Sequence, residues 1–124
     1  MATVIRKPGE FALLKVTGYS KNEYDFILQY DLRKNSLQFI KSDISNVGGI
    51  FLFSQETTNK DHRVLFIGFT DDFSRTFNDP NGLEIDMILN QKPTHLSFLI
   101  TYEEEHILRG MVKDIMNNYN EYWE

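Results

Sequence analysis

Cysteine is missing from this chain of 124 residues. Its absence excludes a disulfide framework, a thiolate zinc site and a thiol nucleophile. Long apolar runs are missing too. The longest candidates, such as residues 11–14 and 96–100, have the length of strands, far below the ~20 residues that cross a bilayer. The first nine residues are polar and lack the apolar stretch of a signal peptide, so the sequence predicts a cytoplasmic protein without membrane association. Positive charge is not in excess: 13 Lys and Arg stand against 18 Asp and Glu, a net charge of −5. Duplex binders draw most of their affinity from neutralised phosphates, so this balance disfavours nucleic acid without forbidding a local basic patch. No repeat, low-complexity tract or linker divides the chain. Its length suits one domain, residues 1–124, able to bury roughly two thirds of its unfolded surface.

What is present is strong patterning. Tyr24, Phe26, Leu28, Tyr30 and Leu32 alternate with Asp25, Ile27, Gln29 and Asp31, the period of a half-buried strand. Asn35 then suits a tight turn, and Leu37 and Phe39 alternate with Gln38 and Ile40. A β-hairpin is therefore predicted over residues 24–41. Residues 11–17 predict another strand, ended by Gly18. After the break at Val47-Gly48-Gly49, residues 50–54 are apolar, 55–63 read as a polar loop, and 64–69 as a central strand. Thr70 is placed to cap a short helix with Asp71 and Asp72 in its first turn, ending near Phe77 before the turn sequence Asn78-Asp79-Pro80-Asn81-Gly82. A second short helix over residues 83–90 and a strand over 96–101 follow. Thr101 and Glu104 have capping-box spacing ahead of a helix predicted over residues 102–119. Its buried stripe is Ile107, Leu108, Met111, Val112, Ile115, Met116 and Tyr119. Gly110 inside it costs up to about 1 kcal/mol relative to alanine, which suggests a close crossing with a strand. The fold class predicted is α+β, with a small, mainly antiparallel sheet flanked by helices.

Candidate chemistry is sparse. Glu103-Glu104-Glu105 and Asp71-Asp72 fit helix N-termini, where negative charge is favourable. His62, His95 and His106 lie far apart, with no helical ligand spacing. Residues 78–84 fail as a calcium loop. With Gly82 at the loop glycine, the first ligand falls on Phe77 and the terminal glutamate on Ile88. There is no Gly-x-Ser-x-Gly and no phosphate loop. The sequence thus predicts no cofactor, no metal and no catalytic residue.

One order of motifs stands out. Gly49-Ile50-Phe51 opens a strand, Phe66-Ile67-Gly68 closes the next, and Phe69-Thr70-Asp71-Asp72-Phe73-Ser74-Arg75-Thr76-Phe77 leads into a helix. The chain then runs to a long helix with a Tyr- and Asn-rich tail. This order resembles the GIY-YIG nuclease domain over residues 48–124, with residues 1–47 an added N-terminal hairpin region. The resemblance implies a phosphodiesterase ancestry. In active members a motif tyrosine activates water, an arginine on the next helix holds the phosphate, a later glutamate holds a divalent metal, and an asparagine near the end supports the site. The physical needs are a phenol for proton transfer, a fork of donors for the anion and a hard oxygen for the metal.

Every one of those positions is changed here. Phe51 and Phe66 replace the tyrosines, and Thr76 stands where the arginine belongs. Arg75 is its neighbour, about 100° away around a helix. The metal glutamate aligns with Met111 or Val112, and the asparagine with Glu124. The expectation is a degenerate, non-catalytic binding or regulatory module that contacts a protein partner or itself through an apolar surface at Phe51 and Phe66. A divergent endonuclease using Arg75, His62 and the acidic residues is a second reading. Nucleic-acid binding through Arg63, Arg75 and exposed aromatics is a third.

Overall fold

The computed structural model describes residues 2–5, 13–44, 46–58, 61–78 and 85–119. The chain is α+β. In order it forms β1 (Ala2–Ile5), β2 (Leu13–Thr17), β3 (Glu23–Phe26), β4 (Leu28–Asp31), α1 (Leu37–Asp43), β5 (Gly49–Glu56), β6 (Asp61–Thr70), α2 (Phe73–Asn78), α3 (Ile85–Leu89), β7 (His95–Ile100) and α4 (Glu105–Tyr119). The strands form one sheet in the order β3-β2-β1-β6-β5-β7-β4, with every pairing antiparallel. β3 and β4 are the two ends of that order, yet only Ile27 separates them. One bent segment therefore serves both edges of the sheet. At the bend the buried side changes: Phe26 packs beneath α4, while Leu28 and Tyr30 pack on the opposite face.

Each face of the sheet carries its own core. On β5, Ile50 and Leu52 join Leu14, Val16, Val64 and Ile67 against the apolar face of α4. Phe51 and Phe53 point the other way and meet α1, α2 and α3 through Ile40, Phe73, Phe77 and Ile88. This is the period-two alternation of a central strand covered on both sides. Asp114 ties α4 to the turn between β2 and β3. It accepts hydrogen bonds from the Ser20 backbone N–H (2.8 Å), the Ser20 hydroxyl (2.7 Å) and the Tyr24 hydroxyl (2.7 Å).

Several expectations need correction. The predicted hairpin over residues 24–41 is half right: its first arm is β3 and β4, but its second arm is the helix α1. Ser36 caps that helix by accepting the Phe39 N–H at 3.2 Å. Ile40 and Ile44 are buried four residues apart, while Phe39 is 51% exposed. Helical period, not alternation, governs residues 37–44. The polar loop at 55–63 is largely strand, because β5 runs to Glu56 and β6 starts at Asp61. Helix α2 starts at Phe73, so Asp71 and Asp72 precede it; Asp72 accepts the Arg75 N–H through Oδ1 at 3.3 Å, and the Thr70 hydroxyl instead accepts the Asp72 N–H at 3.1 Å. Helix α4 starts at Glu105, three residues after the predicted start, and Thr101 lies outside its first turn. Its buried stripe is narrower, with Leu108, Val112, Ile115 and Tyr119 inside, Met111 half-buried, and Ile107 and Met116 exposed. Gly110 faces open space rather than a strand. Most of the turn sequence after α2 and the tail with Glu124 lie outside the described residues.

Candidate functional site

The positions singled out by the family resemblance fall on the β5–β6 pair, on α2 and on α4, with Glu124 outside the described residues. Phe51 is 2% exposed, surrounded by the rings of Phe53, Phe66, Phe73 and Phe77 at centroid distances of 5.3–6.4 Å. Phe66 is half-buried and stacked on Phe51. The expected apolar surface at Phe51 is therefore corrected: its ring is covered by α2 and belongs to the core. Thr76 donates from its hydroxyl to Thr70 Oγ1 at 2.5 Å and so faces β6. Arg75 is exposed and ion-paired with Asp71, four residues earlier. Arg75 lines an open cleft with Asp71, Glu103 and Glu105, and Arg109 at its edge pairs with Glu105 at 3.3 Å, so three carboxylates stand against two guanidiniums, each already ion-paired. A phosphodiester anion would have to displace a carboxylate from either guanidinium. Met111 and Val112 lie on α4, Val112 buried and Met111 packed against the same core. Neither offers an oxygen donor. Arg63 lies on β6, exposed and engaged in contacts of its own.

At the Glu56 end of the β5–β6 pair is a group of residues that sequence spacing did not predict. Glu56 on β5 lies opposite His62 on β6. Ser54, two residues back on β5, lies opposite His95 on β7. Asp31 on β4 lies opposite His95 in turn. Residues opposed across a sheet, and residues two apart on a strand, share a face. Four strands thus place Asp31, His95, Ser54, Glu56 and His62 in one row on the α4 side of the sheet.

The row is buried and connected. His62 and Ser54 are fully buried and His95 nearly so. The imidazole rings lie 4.6 Å apart between centroids. Ser54 Oγ and His62 Nδ1 are hydrogen-bonded at 2.7 Å, and Thr94 Oγ1 and His95 Nδ1 at 2.8 Å. Glu56 Oε2 is 4.0 Å from His62 Nε2, and Asp31 Oδ2 is 3.9 Å from His95 Nε2. Arg33 binds Asp31 with two parallel N–H···O bonds of 2.9 Å and reaches Glu56 Oε1 at 3.4 Å. The Arg33 hydrogen bonds hold the Asp31 carboxyl down at about 2. Burial lowers His62 to about 4, helped by the neighbouring charge of His95 when protonated. His62 is therefore neutral near neutral pH, and its Nε2 is buried without a hydrogen-bond partner.

One donor atom each from Glu56, His62 and His95 lies within 4.8 Å of the others. His106 takes no part: it is exposed on α4 beside Glu104. Sequence reading missed this group because its members come from three strands. The available signal was the β5–β6 hairpin, since drawing it as one long pair puts Glu56 across from His62. The assignment of residues 55–63 to a loop hid that. No protein-family model matches the chain, and neither a curated protein nor a solved structure matches it. No helix among the described residues is long and apolar enough to cross a membrane.

Proposed function

We propose that this chain is a non-catalytic binding module on a GIY-YIG-like framework, and that its partner is a protein. The observation that carries this reading is the sealing of Phe51 among Phe53, Phe66, Phe73 and Phe77. A ring with no ionisable proton, closed off from solvent, cannot take a proton from water. The acidic cleft around Arg75 supports the same reading, because it lacks the positive field that would hold a phosphodiester. The element order from Gly49 onward supports the framework: two paired strands, an arginine-bearing short helix, a second short helix, a strand and a long helix. The surface offered to a partner is the shallow groove beside β4 and α1, where Ile27 and Phe39 are exposed above Tyr30.

The test incubates the purified chain with single- and double-stranded DNA and RNA in magnesium or manganese. The expected result is no cleavage and no duplex retention at physiological salt. Cleavage that tracks the protein peak and vanishes in Arg75→Ala would overturn the reading in favour of a divergent endonuclease. Retention that falls steeply with salt would favour nucleic-acid binding instead. Sedimentation of the chain adds the partner: concentration-dependent association abolished by Phe39→Ser would identify it as a second copy.

A further inference from the structure

We propose that Glu56, His62 and His95 form a binding site for a divalent transition metal of the zinc class. Three independent features point to a ligand rather than to a satisfied core. The first is a stranded ring nitrogen. His62 is fully buried, its Nδ1 is taken by Ser54, and its Nε2 has no hydrogen-bond partner. Leaving a buried polar atom unpaired is unfavourable, and protein interiors rarely tolerate it. In the tautomer whose Nδ1–H donates to Ser54 Oγ, Nε2 keeps a lone pair, with Glu56 Oε2 4.0 Å away and the His95 ring 4.6 Å from its own ring. A cation there satisfies it.

The second feature is the donor set. Two imidazoles and one carboxylate suit zinc, copper, nickel, cobalt and iron(II), while magnesium and calcium prefer oxygen alone. Three protein ligands leave a further coordination position for water or for a group from a partner. The donor atoms lie within 4.8 Å of one another. Bonds of about 2.0–2.2 Å to a tetrahedral centre need donors roughly 1 Å closer than that. Glu56 Oε2 and His62 Nε2 are 4.0 Å apart and the half-buried carboxylate has room to close that gap, while binding also requires a small rotation of the His95 ring toward the ion.

The third feature is the surrounding shell. Ligating histidines characteristically direct their second nitrogen to a fixed partner, and here Ser54 and Thr94 fill that place. Arg33 contacts Oε1 of Glu56 and leaves Oε2 on the His62 side. Its charge is countered by the two parallel bonds to Asp31. With neutral imidazoles, Asp31, Glu56 and Arg33 sum to one negative charge, so a divalent cation enters a site of opposite sign.

The experiment titrates the chelator-treated chain with zinc chloride by calorimetry, and with cobalt chloride followed by its visible absorption. The expected result is one equivalent bound, with a cobalt spectrum of four- or five-coordinate type. Ser54→Ala should weaken binding roughly 10–100-fold, the usual effect of losing an outer partner. His62→Gln and His95→Gln should weaken it further. Glu56→Gln, at a half-buried position compatible with folding, separates lost ligation from lost structure and should also weaken zinc. His106→Gln should leave it unchanged. Binding that is absent in the wild type, or that survives His95→Gln and Glu56→Gln but is lost in His106→Gln, would overturn the proposal. This outcome is independent of the nuclease assays, because no residue of the acidic cleft takes part.

Discussion

The two halves of the β5–β6 pair share one backbone ladder and have opposite chemistry. Toward Gly49 the side chains on the α2 side are rings: Phe51 and Phe53, both buried, and the half-buried Phe66. Toward Glu56 the buried side chains on the α4 side are Val64 and the polar Ser54, His62 and, from β7, His95. The boundary is a bulge. Phe53 lies opposite Phe66 but Ser54 lies opposite Val64, so Leu65 is the extra residue on β6. An uninterrupted alternation from Ile67 would bring Arg63 to the α4 side and send His62 away. The extra residue reverses that phase and aims His62 at Glu56 and His95. One inserted residue therefore separates a sealed half, where burial is satisfied by packing, from a polar half, where burial leaves a ring nitrogen unpaired.

The largest effect that would sharpen this contrast is a cavity in the sealed half. Phe51→Ala removes the ring at the centre of the aromatic cluster and should cost about 3–5 kcal/mol in a denaturant melt. A change within error would mean that the ring is not core, and the contrast would collapse. The next effect belongs to the polar half and is read by pH in the presence of a chelator. His62 titrates at about 4 in the fold, against 6.5 when free. Above pH 6.5 both states are neutral and no effect exists. As pH falls below 6.5 the unfolded chain takes a proton that the fold refuses, so stability drops until about pH 4. The groups facing His62 are His95 and Arg33, which disfavour its charge, and Glu56 and Asp61, which favour it. The loss should reach about 3 kcal/mol, to order of magnitude. Asp31 contributes a separate loss only below its ordinary 3.8, down to about 2. A flat stability profile between pH 6.5 and 4 would show His62 to be solvated.

Much of the fold was legible because its elements have clean periods. The alternation over residues 24–32 is a real extended segment, although nothing in it announces that Ile27 bends it between two edges of one sheet. The long helix was legible from its apolar steps, but Ile107 and Met116 sit at the margin of the stripe, where sequence cannot separate core from rim. Leu37-Gln38-Phe39-Ile40 fits both periods over four residues, and the Ser36 cap decides for helix. The histidine group was not legible, since its partners depend on strand register and on the Leu65 bulge, and both are tertiary facts.

The smallest effect tests whether the sealed half could host the phenol that the family resemblance places there. In Phe51→Tyr the added hydroxyl grows from Cζ, and Cζ is the ring atom closest to Gly68. It lies 2.7 Å from where a Cβ on Gly68 would stand. The tip of the ring therefore abuts the backbone of β6, and residue 68 has no side chain because the ring fills its place. A hydroxyl there must push the strands apart or tilt the ring into Phe73 and Phe77. It would also be buried among rings that accept hydrogen bonds poorly. Overpacking of this kind costs about 1–3 kcal/mol. The same change at Phe66, whose ring is only half-buried, should cost less. If Phe51→Tyr proved neutral while Phe66→Tyr did not, the pocket would have room for a phenol after all. The phenylalanine at position 51 would then not be fixed by the packing around it.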